Sequence, residues 1–465
     1  MLITLTVLLL YQGVLLGLGF WARSRSQSDA GFYIGDYNLG PWVASLSYAA
    51  GSSSAWSILG VSGIAFSQGL SAIWLVPGTL TGHLVVWFYV APRLQGKAQE
   101  KGWLSLTDAL VDGLAPGMAR LSYRLAALVI LFSFTFYIAA QFQGAANTFD
   151  AVFGLAPEVA LLIGALVVLI YTLWGGFWAV SLTDALQAGL MLLAALVLPL
   201  MAWQAVGGIE GITQGADVSA YWSLAGGHEG WFLIGFFLGM LSIGFGPIGQ
   251  PHLLNRVMAL RSPRDINLAR TIALVWFAVV LGGMFLLGVC ARLLLQGSAE
   301  PVAGEQVFFT MADSLLPPVM TGIVIAAVLS AIMSTADSQL LVAGAAVHND
   351  LGGGAKNRVS SFGPRAAVST VAVAAVLLAL FLPEAIFSRV LFAWNALGAA
   401  FGPLLLARLF RWRIKDWAVP TAMLVGFGFT VVFYSLPNGP GDLYERAVPF
   451  ILAFVTLFFA RSSDR

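Results

Sequence analysis

Thirteen mostly apolar runs, each long enough to cross a bilayer, follow one another along this chain and leave it one kind of surroundings. They cover 1–22, 41–68, 71–91, 121–147, 159–178, 183–204, 230–254, 267–292, 307–348, 366–383, 386–408, 417–436 and 444–461. A spanning helix needs about 20 such residues, and one or two soluble cores cannot hide thirteen of them. Composition agrees: 59% of the 465 residues are hydrophobic, 10% are charged and mean hydropathy is +0.87, whereas about a quarter of a soluble domain is charged. Soluble enzymes and secreted disulfide scaffolds are therefore excluded. A net charge of +1 gives no basic field for nucleic acid. The lone Cys290 can form no internal disulfide and reads as apolar packing. The first run has no basic segment ahead of it and no convincing cleavage site, so it reads as a span and not as a signal peptide.

Basic residues set the expected orientation. All but three of the 23 lysines and arginines fall in connections after odd-numbered spans or in the tail. They are Arg23 and Arg25; Arg93, Lys97, Lys101, Arg120 and Arg124; Arg256, Arg261, Arg264 and Arg270; Lys356, Arg358 and Arg365; Arg408, Arg411, Arg413 and Lys415; Arg461 and Arg465. Arg292, Arg389 and Arg446 fall on the other side. The positive-inside rule then places the N-terminus outside and the C-terminus in the cytoplasm. No soluble domain is expected, and residues 205–229 read as an outside loop with a short surface helix.

Two spans carry helix-breaking clusters at mid-membrane. Span 2 holds Ala49-Ala50-Gly51-Ser52-Ser53-Ser54, where serine and glycine compete poorly for helical backbone bonds. Span 7 holds Gly244-Phe245-Gly246-Pro247-Ile248-Gly249-Gln250-Pro251, which a continuous helix cannot accommodate. Unwound backbone at that depth is tolerated only in the protein interior or against a watery cavity. Either cluster alone would also fit a packing kink. Spans 2–6 and 7–11 are two blocks of five, each opening with a broken helix, and the odd number reverses the second block. That is the layout of an inverted-repeat transporter. The chain divides accordingly into residues 1–40 (peripheral helix and loop), 41–204 (first repeat), 230–410 (second repeat) and 416–465 (peripheral C-terminal helices).

Charge inside the bilayer is expensive and marks function. Asp184 opens span 6, where Ser181-Leu182-Thr183-Asp184 would also serve as a helix N-cap. Asp337 lies in span 9 beside a stripe of Ala331, Ser334, Thr335 and Ser338 at i, i+3, i+4 and i+7, one helix face. Hydroxyls beside a carboxylate suit a hard cation, with carbonyls from broken span 2 completing the shell; hydrogen bonding between helices is the plainer alternative. His83, His228, His252 and His348 form no metal spacing. Gly352-Gly353-Gly354-Ala355-Lys356 lacks the spacing of a phosphate loop, and no catalytic constellation or cofactor motif appears. An enzyme is not expected, and with no nucleotide site transport would be ion-driven or passive.

Four strings resemble the sodium/solute symporter family over essentially the whole chain. They are Tyr171-Thr172-Leu173-Trp174-Gly175-Gly176-Phe177-Trp178-Ala179-Val180-Ser181-Leu182-Thr183-Asp184, Gly249-Gln250-Pro251-His252 continuing to Arg256, Met333-Ser334-Thr335-Ala336-Asp337-Ser338-Gln339-Leu340-Leu341, and Phe392-Ala393-Trp394-Asn395-Ala396-Leu397-Gly398-Ala399-Ala400-Phe401-Gly402-Pro403. The resemblance implies an all-α protein of 13 transmembrane helices with a LeuT-type 5+5 inverted-repeat core in a bacterial inner (plasma) membrane, working by alternating access as a monomer. It implies a sodium site of Ala50, Ser53 and Ala331 carbonyls with Ser334 and Thr335 hydroxyls. It implies a second cation or proton position at Asp184, Asp337 and Ser338. The family's proline branch has an aspartate where Ser52 stands, and a tryptophan and a tyrosine at the positions of Ile243 and Pro247, so proline is disfavoured. Ser54 and Tyr137 match the solute region of that branch, and Gln141 and Asn395 are polar candidates by depth. The expected solute is small and polar, an amino acid or organic acid. Proton coupling in the same fold is one alternative, and a solute-sensing membrane receptor another.

Overall fold

The computed structural model describes residues 2–22, 29–174, 176–215, 220–296, 302–351, 362–381, 386–437 and 439–461. Arg23, Arg25, Gly175, the 352–356 run, Arg358 and Arg465 lie outside them. The described residues are helical, with isolated bridges only between Leu39 and Leu260 and between Ile414 and Arg461. The helices that build the interior are α1 (Leu2–Ala22), α2 (Pro41–Ser52), α3 (Val61–Gln68), α4 (Leu75–Val85), α5 (Pro116–Phe153), α6 (Phe177–Val206), α7 (Gly230–Ser242), α8 (Pro251–Met258), α9 (Ile266–Leu294), α10 (Pro318–Ala345), α11 (Ile386–Leu409) and α12 (Leu443–Phe459). Among the described residues eight helical segments are long and apolar enough to cross a membrane. Shorter apolar helices occupy Pro157–Leu169, Ala366–Phe381 and Ala418–Tyr434.

Burial separates centre from rim. The apolar windows of Pro318–Asp350 and Ile386–Leu409 are 78% and 94% buried, against 22% for Leu2–Gly19. A helix covered all round must sit in the middle, so α10 and α11 form the centre and α1 faces outward along most of its length.

Both expected breaks are present. α2 starts at Pro41 behind extended Gly40 and stops at Ser53, which leaves helical geometry at φ −101°, ψ 72°. A wide turn over Trp56–Gly60 then leads into α3. The second break runs from α7 through a tight 3-10 stretch, Ile243–Gly249, to extended Gln250, and Pro251 opens α8. Proline at that first helical position costs nothing, because its missing N–H would have no partner there.

Three expectations change. The run 307–348 is two helices, Val307–Leu315 and α10, because Pro317 and Pro318 hold Leu316 and Pro317 extended. The run 71–91 continues to Lys101. α6 begins at Phe177 behind extended Gly176, so Asp184 sits about two turns inside it and caps nothing. Residues 208–215 form the short surface helix expected in the loop.

The 3-10 stretch is held by backbone contact. A Cβ on Gly82 would collide with the Gly244 carbonyl, and one on Gly246 would enter the Trp394 indole. Trp394 Nε1 donates to the Ile243 carbonyl (3.1 Å), and its own carbonyl accepts from Gln250 Nε2 (3.1 Å). One residue thus braces both ends of the break, by its indole at Ile243 and by its backbone carbonyl at Gln250. Gly246→Ala is expected to displace the indole and lower stability by about 1–3 kcal/mol, the usual range for overpacking. A melting temperature unchanged from wild type would contradict that bracing.

Candidate functional site

α2 and α10 meet at the first break. The Ser334 hydroxyl lies 3.2 Å from the Ala50 carbonyl and 3.3 Å from the Ala331 carbonyl. The Thr335 hydroxyl lies 3.5 Å from the Ala50 carbonyl and 3.2 Å from that of Gly51. All of these groups are buried, and the buried Ser53 hydroxyl has no partner among the described residues. Four of the five residues expected to hold sodium are therefore within hydrogen-bonding reach of one another, and every oxygen among them is neutral. The Gly51 carbonyl was not anticipated: the Gly-Ser run announces freed carbonyls, but which way each points depends on the turn that follows.

Beyond the break, the Ser54 hydroxyl accepts from the Tyr137 hydroxyl (3.5 Å) and from the Trp56 backbone N–H (3.4 Å). Gln141 Oε1 accepts from the Ala55 N–H (3.0 Å). The Trp56 indole donates to the Ser52 carbonyl, and the buried Ser52 hydroxyl has no partner among the described residues. The rings of Tyr137 and Trp394 stand edge to face at 6.5 Å. Ser52, Ser54, Tyr137 and Gln141 thus gather at the first break, while Ile243 and Pro247 lie in the second, behind Trp394. Asn395 goes elsewhere: its amide donates to Glu445 of α12 at 3.0 Å. Depth along a helix located Asn395, but its direction, one residue round from Trp394, was not legible. Trp56 and Trp394, whose indoles bond the Ser52 and Ile243 carbonyls, were not singled out because they read as ordinary apolar packing.

Charge concentrates one turn further along α10. Asp184, Arg256, Asp337 and Ser338 are all buried. Arg256, counted from sequence with a cytoplasmic connection, lies inside α8. Its Nη2 donates to Asp184 Oδ2 (3.1 Å) and to the Ser338 hydroxyl, its Nε to the Ser47 hydroxyl (3.0 Å) and its Nη1 to the His252 carbonyl (2.7 Å). Ser47 also donates to Asp184 Oδ2 at 2.7 Å, and the guanidinium lies 5.1 Å from the Phe177 ring centre. Neither Asp337 oxygen has a hydrogen-bond partner among the described residues.

The two faces of the molecule differ. On one, a cavity of about 1120 Å³ is lined by Gln68, Tyr221, His228, Arg292, Glu305, Phe387 and Arg446, among others. Burial raises the Glu305 carboxyl above its usual range, opposed by the backbone N–H groups of Phe387 and Ile386. On the other face the two broken helices are tied together. Leu39 N–H donates to the Ala259 carbonyl and Arg261 N–H to the Leu39 carbonyl, both at 3.0 Å, and Gln95 holds the Leu260 carbonyl at 2.8 Å.

Discontinuous helices around a buried oxygen cluster define a polytopic transporter of the LeuT-fold class. The fold agrees with that of a Na+-coupled sialic acid symporter solved in a substrate-bound outward-open state: TM-score 0.82, 16% identity, 98% of this chain and 97% of that one covered. Mhp1, a nucleobase-cation-symport-1 family transporter in a closed conformation with bromovinylhydantoin bound, gives 0.56 at 14% identity over 93% and 95%. The sequence profile of the sodium:solute symporter family matches residues 32–426, and the chain belongs to that family. It is 32% identical to the high-affinity proline transporter PutP of Bacillus subtilis (strain 168), covering 95% of this chain and 94% of the relative. It is also 32% identical to the sodium/proline symporter of Escherichia coli (strain K12), covering 95% and 89%.

Proposed function

We propose that this protein is a secondary active symporter that imports a small polar solute, an amino acid or organic acid, with sodium. The observation that carries the reading is the neutral oxygen cluster of Ala50, Ala331, Ser334 and Thr335 at the break in span 2. Sodium takes roughly five or six oxygens in such broken-helix sites; the Ser53 carbonyl completes the set. Sodium in that cluster orders the break, and the solute then meets Ser52, Ser54, Tyr137 and Gln141 on the same segment. Linkage makes the solute raise sodium affinity by the same factor. One charge moving down 100 mV contributes about 2.3 kcal/mol.

Thirteen spans, ten of them in two inverted blocks of five, with the N-terminus outside, fit this reading. The large cavity is then the outer vestibule, and the Leu39–Leu260 tie closes the cytoplasmic side. Proline remains disfavoured on the pocket's own chemistry: Ser52 brings no charge, and Ile243 and Pro247 bring no aromatic face. The named relatives, by contrast, transport proline, so proline belongs in the test.

Purified protein in proteoliposomes is offered a panel of labelled amino acids and organic acids, proline included, under imposed sodium or pH gradients. Saturable accumulation of a panel member other than proline under the sodium gradient alone is expected. Accumulation driven by the pH gradient alone overturns sodium coupling. Saturable binding without accumulation overturns transport in favour of a receptor, and a preference for proline overturns the solute reading.

A further inference from the structure

Three charged side chains lie buried in the transmembrane interior near the oxygen cluster: Asp184, Asp337 and Arg256. Burying a charge is tolerated only when it is paired, so each must be accounted for. Asp184 is: Oδ2 receives Arg256 Nη2 and the Ser47 hydroxyl, and the Ser338 hydroxyl lies 3.5 Å away. Arg256 is paired too, spending four of its five N–H donors on Asp184, Ser338, Ser47 and His252. Asp184 Oδ2 and the Ser338 hydroxyl, two oxygens that could have held a second ion, are therefore already bonded to a guanidinium, while Asp184 Oδ1 has no hydrogen-bond partner among the described residues. Asp337 is left with two oxygens that have no hydrogen-bond partner among the described residues. It shares a helix face with Ser334, three residues earlier, and the cluster containing Ser334 is built of neutral oxygens that bring no countercharge of their own. Two carboxylates, one guanidinium and one sodium ion sum to zero.

Resting on the symport reading, we propose that Arg256 is a tethered cation that fixes the coupling ratio. Its guanidinium fills the position beside Asp184 and Ser338, so the protein binds a single sodium ion, and Asp337 is that ion's countercharge. The ratio is set by a side chain that cannot leave, and the ion site needs no charged ligand because its charge is balanced one turn away.

The test uses 22Na+ as the only ligand, on the full chain in lipid nanodiscs, with no solute present. Wild type is expected to bind one sodium per protein with a Hill coefficient of about 1. Arg256→Gln frees the Asp184 carboxylate and the Ser338 hydroxyl and is expected to bind two. Asp337→Asn keeps a similar shape without charge and is expected to weaken sodium binding at least about tenfold, roughly 1.4 kcal/mol. Two sodium ions on wild type, or unchanged affinity in Asp337→Asn, overturn the proposal while leaving sodium symport standing. No sodium on wild type sinks the symport reading itself. Should Arg256→Gln fail to fold, the wild-type count and the Asp337→Asn affinity still decide the matter.

Discussion

Replacing Ser334 and Thr335 together with alanine abolishes sodium-driven uptake and leaves the protein folded in the membrane. The two hydroxyls are the α10 side-chain contribution to the oxygen cluster, and both reach across to α2 carbonyls. Without them a sodium ion keeps only backbone carbonyls, too few for a shell of roughly five or six oxygens. The cost to folding is small by comparison. Each neutral hydrogen bond is worth about 1 kcal/mol, and the affected carbonyls keep other donors: the Ala50 carbonyl receives the Ser53 N–H at 3.1 Å, and that of Gly51 lies 3.2 Å from His252 Nε2. Uptake in proteoliposomes, with size-exclusion elution as the folding control, measures both. Uptake at the wild-type rate would remove sodium from this cluster.

The second large effect is on stability. In sodium-free buffer, Arg256→Gln leaves Asp184 as a buried, uncompensated charge, and losing one partner of a buried pair costs about 3–5 kcal/mol. It also breaks the contacts between α8 and Ser47 of α2 and Ser338 of α10. The melting temperature should fall sharply without sodium and recover as sodium is added, because an ion that binds only the folded state stabilises it by mass action. Wild type should show a smaller sodium dependence. Equal melting temperatures for the two proteins in sodium-free buffer would mean that Arg256 carries no paired charge.

Much of this was legible in the sequence because the bilayer enforces simple rules. Apolar length marked the helices, and Gly-Ser and Gly-Pro runs marked both breaks, since such runs free backbone groups within a span. The stripe of Ala331, Ser334 and Thr335 follows from helical spacing alone. What stayed hidden depends on direction and partnership. Apolarity does not register the Pro317-Pro318 stop, so one long run concealed two helices. Arg256 looked like a loop charge because its four partners come from sequence positions as distant as Ser47 and Ser338. Asn395 was chosen by depth alone, which does not tell that its amide turns to Glu445. Asp184 resembled a helix cap because the true start of α6, Phe177, lies seven residues earlier.

Trp394 and Asn395 are neighbours with different allegiances: the first spans the interrupted turn between Ile243 and Gln250, the second grips Glu445 near the start of α12. Two consecutive residues therefore wire the chain's final helix to its most irregular interior segment. If that turn shifts in the cycle proposed above, these contacts would carry the shift to α12, so a helix far from the oxygen cluster would act as ballast for it.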